Sequence, residues 1–160
     1  MYRFYEHAKK IREIQKYLSI TESGNYDEKT KAAVMQVQQK YGISADAEVN
    51  YDTFLSIFRE YTKSEKAKKM SARFPEDTFP LKIGTYGEAI RKMNEMLLTL
   101  SSYYRISTNL KSGDYYGRRS EEIIREMSKI YGISRASGEI SIDDFLLMEK
   151  DFNSVRRKSD

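Results

Sequence analysis

The string Tyr-Gly-Ile-Ser occurs twice in this chain, at 41–44 and again at 131–134, 90 residues apart. A sequence that resembles itself at a fixed shift is tightly constrained, because each copy must bury an apolar face of the same pattern. The likeness extends well beyond the four residues. At a shift of 90, Tyr26 falls on Tyr116, Thr30 on Ser120, Val34 on Ile124 and Val37 on Met127. With one added residue, Glu48 meets Glu139, Asp52 meets Asp143, and Phe54 and Leu55 meet Phe145 and Leu146. Upstream the shift is 79, where Ile14 and Gln15 meet Met93 and Asn94, and Leu18 meets Leu97. The second copy therefore carries 11 extra residues, around 99–109, including Tyr103 and Tyr104. The pattern reads as an internal duplication: a first unit over 1–62, a linker over 63–78 and a second unit over 79–160.

Each copy reads as three helices. Ile11, Ile14 and Leu18 recur at helical steps, as do Val34, Val37 and Tyr41 after the N-cap Asp27. Gly42 then closes the helix, because glycine accepts the left-handed conformation past a helix end. Asn50 caps a third helix, whose expected inward face is Phe54, Leu55, Phe58 and Tyr61. The second copy repeats this plan with Ile90, Met93 and Leu97, then Ile123, Ile124, Met127 and Gly132. A helix capped by Ser141 and carrying Ile142, Phe145, Leu146 and Phe152 follows. Pro75 and Pro80 stop any helix that runs on from the first copy. The final Ser-Val-Arg-Arg-Lys-Ser-Asp reads as a fraying basic tail. The predicted fold class is all-α, two tandem three-helix bundles.

Composition narrows the function. With no cysteine, the chain has no disulfide, thiolate zinc site or cysteine nucleophile, and His7 is its single histidine. No catalytic residue, metal or cofactor is expected. Net charge is +4, and the basic residues are dispersed, so no nucleic-acid partner is expected. Arg118, Arg119, Arg125 and Lys129 on one helix are the nearest approach to a DNA-reading face. No apolar run reaches the roughly 20 residues of a membrane span. The first residues carry charges throughout, which does not suit an export signal. An extracellular or wall location would require a larger exported parent protein, and a cytoplasmic one stays open.

The residues Ser23 to Phe54 resemble the peptidoglycan-binding domain family, small three-helix modules attached to many bacterial wall hydrolases. The resemblance rests on Gly24, Tyr26, Thr30, Ala33, Val34, Val37, Gln38, Gly42, Ile43, Asp46, Thr53 and Phe54, with Ile14, Gln15 and Leu18 upstream. In the second copy, Leu81, Gly84, Gly87, Ala89 and Ile90 are similar to the family's opening motif, and Tyr116, Gly117, Ser120, Ile123, Ile124 and Gly132 continue it. The second copy departs at Ser128, which stands where the family has glutamine, and at Asn94, which stands for the other.

The resemblance implies non-catalytic binding of peptidoglycan, through glycan or stem peptide, in shallow grooves, targeting a linked or partner wall hydrolase. The alternative is a protein-interaction scaffold that kept the fold and lost the glycan. Candidate ligand-binding residues are Gln15, Tyr26, Gln38, Tyr103, Tyr104, Tyr115 and Tyr116. A tyrosine ring covers the apolar face of a sugar while its hydroxyl bonds, and a glutamine amide both donates and accepts. The structural alternatives stand beside these roles. Tyr26 and Tyr116 also suit core and turn packing, and both glutamines also suit bonding to loop backbone. The acidic residues Asp46, Glu48, Asp52, Glu139, Asp143 and Asp144 sit at caps and turns, where a carboxylate favours a helix N-terminus.

Overall fold

The computed structural model describes residues 2–133 and 137–160; Met1 and residues 134–136 lie outside them, and with them the last residue of the second Tyr-Gly-Ile-Ser string. The described residues form six helices: α1 (Tyr2–Tyr17), α2 (Glu28–Lys40), α3 (Tyr51–Arg73), α4 (Glu88–Tyr103), α5 (Arg118–Ile130) and α6 (Ile142–Ser159). Extended pairing among them is limited to two isolated bridges, Leu81 with Ile140 and Tyr86 with Tyr115. The all-α reading of the sequence is what the chain adopts. Two compact units divide it, Met1–Ala67 and Lys68–Asp160, so the division falls inside α3.

Residues 63–73 of the expected linker over 63–78 are helical. Alanine, lysine and glutamate keep α3 helical through Arg73, and the chain leaves the helix just before Pro75. Beyond Lys68 this stretch is built into the second unit. Met70 is buried there, and Arg73 grips Glu149 with two bonds of 2.8 and 2.5 Å. Asp77 accepts the Ala89 N–H at 2.8 Å and so caps α4, whose own N-cap Gly87 has no side chain.

The first unit has a small apolar centre, with Ile11, Val34 and Ile57 buried. Beside them lie Gln15, Thr30, Gln38, Thr53 and Ser56, also buried. The face of α3 differs from the sequence reading. Thr53, Ser56 and Ile57 point inward, Phe54 and Leu55 are half-buried, and Phe58 is 43% exposed. The polar bonds of Thr53 set that rotation. Phe54, Phe58 and Tyr61 instead cluster with Tyr17, at ring distances of 4.8 to 6.5 Å.

The second unit has a true apolar core. Met93, Met96, Leu97, Leu100, Ile123, Met127, Ile140 and Phe145 are all at most 1% exposed. Each such side chain contributes about 1.5–3 kcal/mol on burial. Helix α6 continues to Ser159 with Val155 buried, which corrects the expected fraying tail. Its start carries a capping box, Ser141 to Asp144 and back.

Both Tyr-Gly-Ile turns behave alike. Gly42 and Gly132 take φ of +66° and +68°, and the following isoleucine N–H bonds back to the carbonyl of Gln38 or Ser128. Ile133, however, is 38% exposed and Ile43 only half-buried, so neither isoleucine returns to a core. The tyrosines are bonded to acids. Tyr41 donates to Glu60 at 2.8 Å, and Tyr131 to Asp151 at 2.6 Å.

Candidate functional site

The two candidate glutamines, Gln15 and Gln38, are bonded entirely within the first unit. Gln15 Nε2 donates to Ser23 Oγ, the Asn25 carbonyl and Thr30 Oγ1 at 2.9 to 3.0 Å, and its Oε1 accepts the Gly24 N–H at 2.9 Å. Gln38 Nε2 donates to Asp46 Oδ1, the Glu48 carbonyl and Thr53 Oγ1 at 2.9 to 3.1 Å, and its Oε1 accepts the Ala47 N–H. Each amide thus ties one helix, the loop after it and the start of the next helix. Both side chains are 0% exposed. A buried amide with all these bonds made has nothing left for a ligand, and exposing it would leave the loop groups unpaired.

The second glutamine repeats the first at a shift of 23 residues. Gln15 and Thr30 correspond to Gln38 and Thr53, and Gly24 corresponds to Ala47. The caps follow: Thr30 N–H bonds Asp27 Oδ1 and Thr53 N–H bonds Asn50 Oδ1, both at 2.9 Å. Gly24 and Ala47 both have positive φ, 79° and 60°. This inner period was present in the sequence as a Gln followed 15 residues on by Thr, twice. It is the signal that a search at 90 residues passes over. Asp46 is part of this network, and its carboxyl is held below the usual carboxylate range by the Glu48 N–H and then the Gln38 amide.

The tyrosines divide into two groups. Tyr116 is 0% exposed and its hydroxyl donates to the Gly138 carbonyl, so it is interior. Tyr26 is half-buried and makes the corresponding bond to the Ala47 carbonyl. Tyr104 is half-buried and donates to Asp151 at 2.7 Å; burial and then that bond push its hydroxyl up to about 12. Tyr103 and Tyr115 remain open, at 47% and 46% exposure. Tyr103 meets Tyr104 edge-on at 5.0 Å, with the Lys158 ammonium 5.9 Å from its ring.

Tyr115 has a neighbour that the sequence reading did not single out. Tyr86 is 70% exposed, and its ring lies 4.8 Å from that of Tyr115 at a 39° tilt. Backbone bonds hold the pair: Gly84 N–H to the Tyr116 carbonyl, Tyr116 N–H to the Thr85 carbonyl, and Gly87 N–H to the Asp114 carbonyl, at 2.8 to 3.0 Å. The Tyr115 ring covers Gly117, where a Cβ would come within 2.8 Å of it. Two grooves flank the rings. One of about 360 Å³ is lined by Asn94, Lys111, Gly113, Tyr115 and Arg119. The other, of about 370 Å³, is lined by Asp77, Lys82, Thr85, Tyr86 and Ile90.

Asn94 does for the second unit what Gln15 does for the first. It donates to the Gly113 and Tyr115 carbonyls at 2.8 and 2.9 Å and accepts the Ser120 hydroxyl at 2.7 Å. The 11 extra residues follow from this placement. Helix α4 runs on past Asn94 to Ser101, whose carbonyl takes the Ile106 N–H as the Gln15 carbonyl takes that of Ile20. The rest of the insertion lengthens the loop before α5.

Two of the acidic candidates serve the backbone, and Glu139 pairs with Lys82 at 4.0 Å. Asp46 accepts the Glu48 N–H at 2.9 Å, and Asp144 closes the capping box of α6. Of the basic residues on α5, Arg118, Arg125 and Lys129 pair with Glu122, Glu121 and Glu126 at 3.2, 2.6 and 2.8 Å. Among the described residues no helix is long and apolar enough to cross a membrane.

Residues 8–56 match the family model described as "Putative peptidoglycan binding domain". The matched stretch spans both glutamine ties, from Gln15 to Thr53. No curated protein matches the chain, and no solved structure does.

Proposed function

We propose that this protein binds bacterial cell-wall peptidoglycan without chemistry of its own, and so raises the local concentration of a linked or partner wall enzyme. The match over residues 8–56 carries the reading. The contacts are aromatic rather than amide-based, because Gln15 and Gln38 are committed inside the first unit. In the second unit, Tyr86 and Tyr115 offer two exposed rings between grooves that have room for sugar rings and their amide substituents. Ring faces of this kind cover the apolar side of a sugar, and the groove edges supply hydrogen bonds. Tyr103 is a further open ring on the same unit. A peptidoglycan ligand implies action at the cell wall.

Co-sedimentation with purified peptidoglycan tests this. The protein is expected to pellet with the polymer. Replacing both Tyr86 and Tyr115 by alanine should weaken binding by about tenfold, the loss of roughly 1.4 kcal/mol of ring contact. Full binding by the double variant would remove the tyrosine surface from the reading. No sedimentation at all would favour the second reading, a scaffold that kept the fold and lost the glycan. The internal commitment of Gln15, Gln38 and Tyr116 is the observation on that side.

A further inference from the structure

The two grooves beside the tyrosine pair carry opposite charge. The groove on the Tyr115 side is lined by Lys111, Asp114, Arg118 and Arg119. Two of these charges are engaged: Arg118 bonds Glu122 at 3.2 Å, and Asp114 lies 3.7 Å from Arg91. Lys111 and Arg119 are exposed and have no ion-pair partner among the described residues. The groove on the Tyr86 side is lined by Glu76, Asp77 and Lys82. Lys82 lies 4.0 Å from Glu139, and Asp77 caps α4. Glu76 is exposed and has no ion-pair partner among the described residues, so this side is acidic.

The frame beneath the two open cations is joined by one buried amide. Asn94 bonds the Gly113 and Tyr115 carbonyls of the loop that carries Lys111, and it accepts the hydroxyl of Ser120, next to Arg119 on α5. Backbone held in this way loses little freedom when a ligand binds.

The charges select among wall components. A polyanion laid across both rings would gain at Lys111 and Arg119 and be repelled at Glu76 and Asp77. A neutral glycan would leave both cations unused. A ligand with one carboxylate at the Tyr115 end and a neutral or cationic group at the Tyr86 end meets both grooves.

We propose that Tyr86, Tyr115, Lys111 and Arg119 form one site for a carboxylate-bearing glycopeptide. Its sugar or peptide face lies on the rings, and its carboxylate lies at Lys111 and Arg119. The guanidinium fork matches both oxygens of a carboxylate, and the ammonium adds a second charge. The proposal rests on the wall-binding reading and adds to it which part of the polymer is held and which way round it lies.

The test is a titration of the full chain with N-acetylmuramoyl-alanyl-isoglutamine, followed through the amide signals of Gly113, Asp114 and Gly117 in two-dimensional NMR. Saturable shifts are expected. The same molecule with its free carboxyl converted to an amide should bind about tenfold more weakly, for the loss of a charge-assisted hydrogen bond. Joint replacement Lys111→Ala and Arg119→Ala should weaken the acid by a similar factor and leave Tm unchanged, since neither side chain has an ion-pair partner to lose. Inorganic polyphosphate should not displace the glycopeptide. No saturable shift, equal binding of acid and amide, displacement by polyphosphate, or unchanged binding by the double variant would each overturn the proposal. Co-sedimentation with peptidoglycan separates it from the reading beneath it. Equal pelleting of the parent and the double variant keeps the wall reading and overturns this proposal alone, whereas a parent that does not pellet overturns both.

Discussion

The two units solve one problem with different materials. In the first, Ile11, Val34 and Ile57 are buried among polar groups, and Gln15 and Gln38 hold the loops. In the second, an apolar core centred on α4 and Phe145 carries the packing, Asn94 replaces one glutamine and the Ser128 hydroxyl, at the place of the other, bonds within its own helix. The tyrosine bonds are kept in both: Tyr26 and Tyr116 to a loop carbonyl, Tyr41 and Tyr131 to a carboxylate on the following helix. The difference teaches that a loop can be held either by an amide reaching from a helix or by apolar mass and a buried phenol. A short sequence with little aliphatic content relies on the first.

The sharpest way to break this comparison is to remove the mass of the second unit. Phe145→Ala should cost about 4 kcal/mol, the usual loss for a fully buried phenylalanine, and hydrogen exchange should rise most across α4 to α6. If exchange there stays unchanged, the packing of that unit does not depend on Phe145. Next, Gln38→Ala should cost the first unit about 3 kcal/mol, because the Ala47 N–H and its neighbours lose their partner. Urea unfolding reads the loss, and exchange should locate it in the loop over 44–50. Ser128→Ala, at the matching place, should cost under about 1 kcal/mol, since only a bond to its own helix is lost. Equal costs at the two positions would end the distinction between them.

Tyr131→Phe comes lower than Gln38→Ala, at about 2 kcal/mol for one hydrogen bond to a carboxylate. The pH dependence of the same pair has a definite sign. Burial and the Asp151 bond raise the hydroxyls of Tyr131 and Tyr104 above their ordinary value of 10.0. Their stabilisation is therefore complete below pH 10 and is lost as the pH rises toward about 12, where Tyr104 ionises. Absorbance titration should show this pair ionising above the ordinary tyrosine value of 10.0. The smallest effect is at the acid side. Asp46 and Glu149 are both held below their ordinary values of 3.8 and 4.5, by backbone and amide bonds and by Arg73 respectively. Their contribution is present above those values and declines as the pH falls below them, in both units. A melting temperature flat from pH 7 down to pH 3 would contradict it.

Much of the fold was legible because its signals are local. The caps Asp27, Asn50 and Ser141, the left-handed Gly42 and Gly132 and the helical spacing of apolar residues all act within a turn or two of chain. The site was less legible. Residue type suggested Gln15, Gln38 and Tyr116 as contacts, yet each finds its partners 8 to 22 residues away and turns inward. Tyr86 was passed over because nothing beside it in the sequence marks it; its neighbour Tyr115 comes from a different segment.

The sequence by itself determined the helices, their ends and the repeated Tyr-Gly-Ile turn, because hydrogen bonds within a helix and at its caps join residues close in the chain. Only the tertiary structure decided what the tyrosines and glutamines of that pattern do. Whether a tyrosine is a free ring or a buried phenol, and whether a helix side chain ties a loop or bonds within its own helix, depends on which distant groups the fold brings within its reach. In the first unit Gln38 reaches the Ala47 N–H, and in the second the Ser128 hydroxyl bonds the Ile124 carbonyl of its own helix.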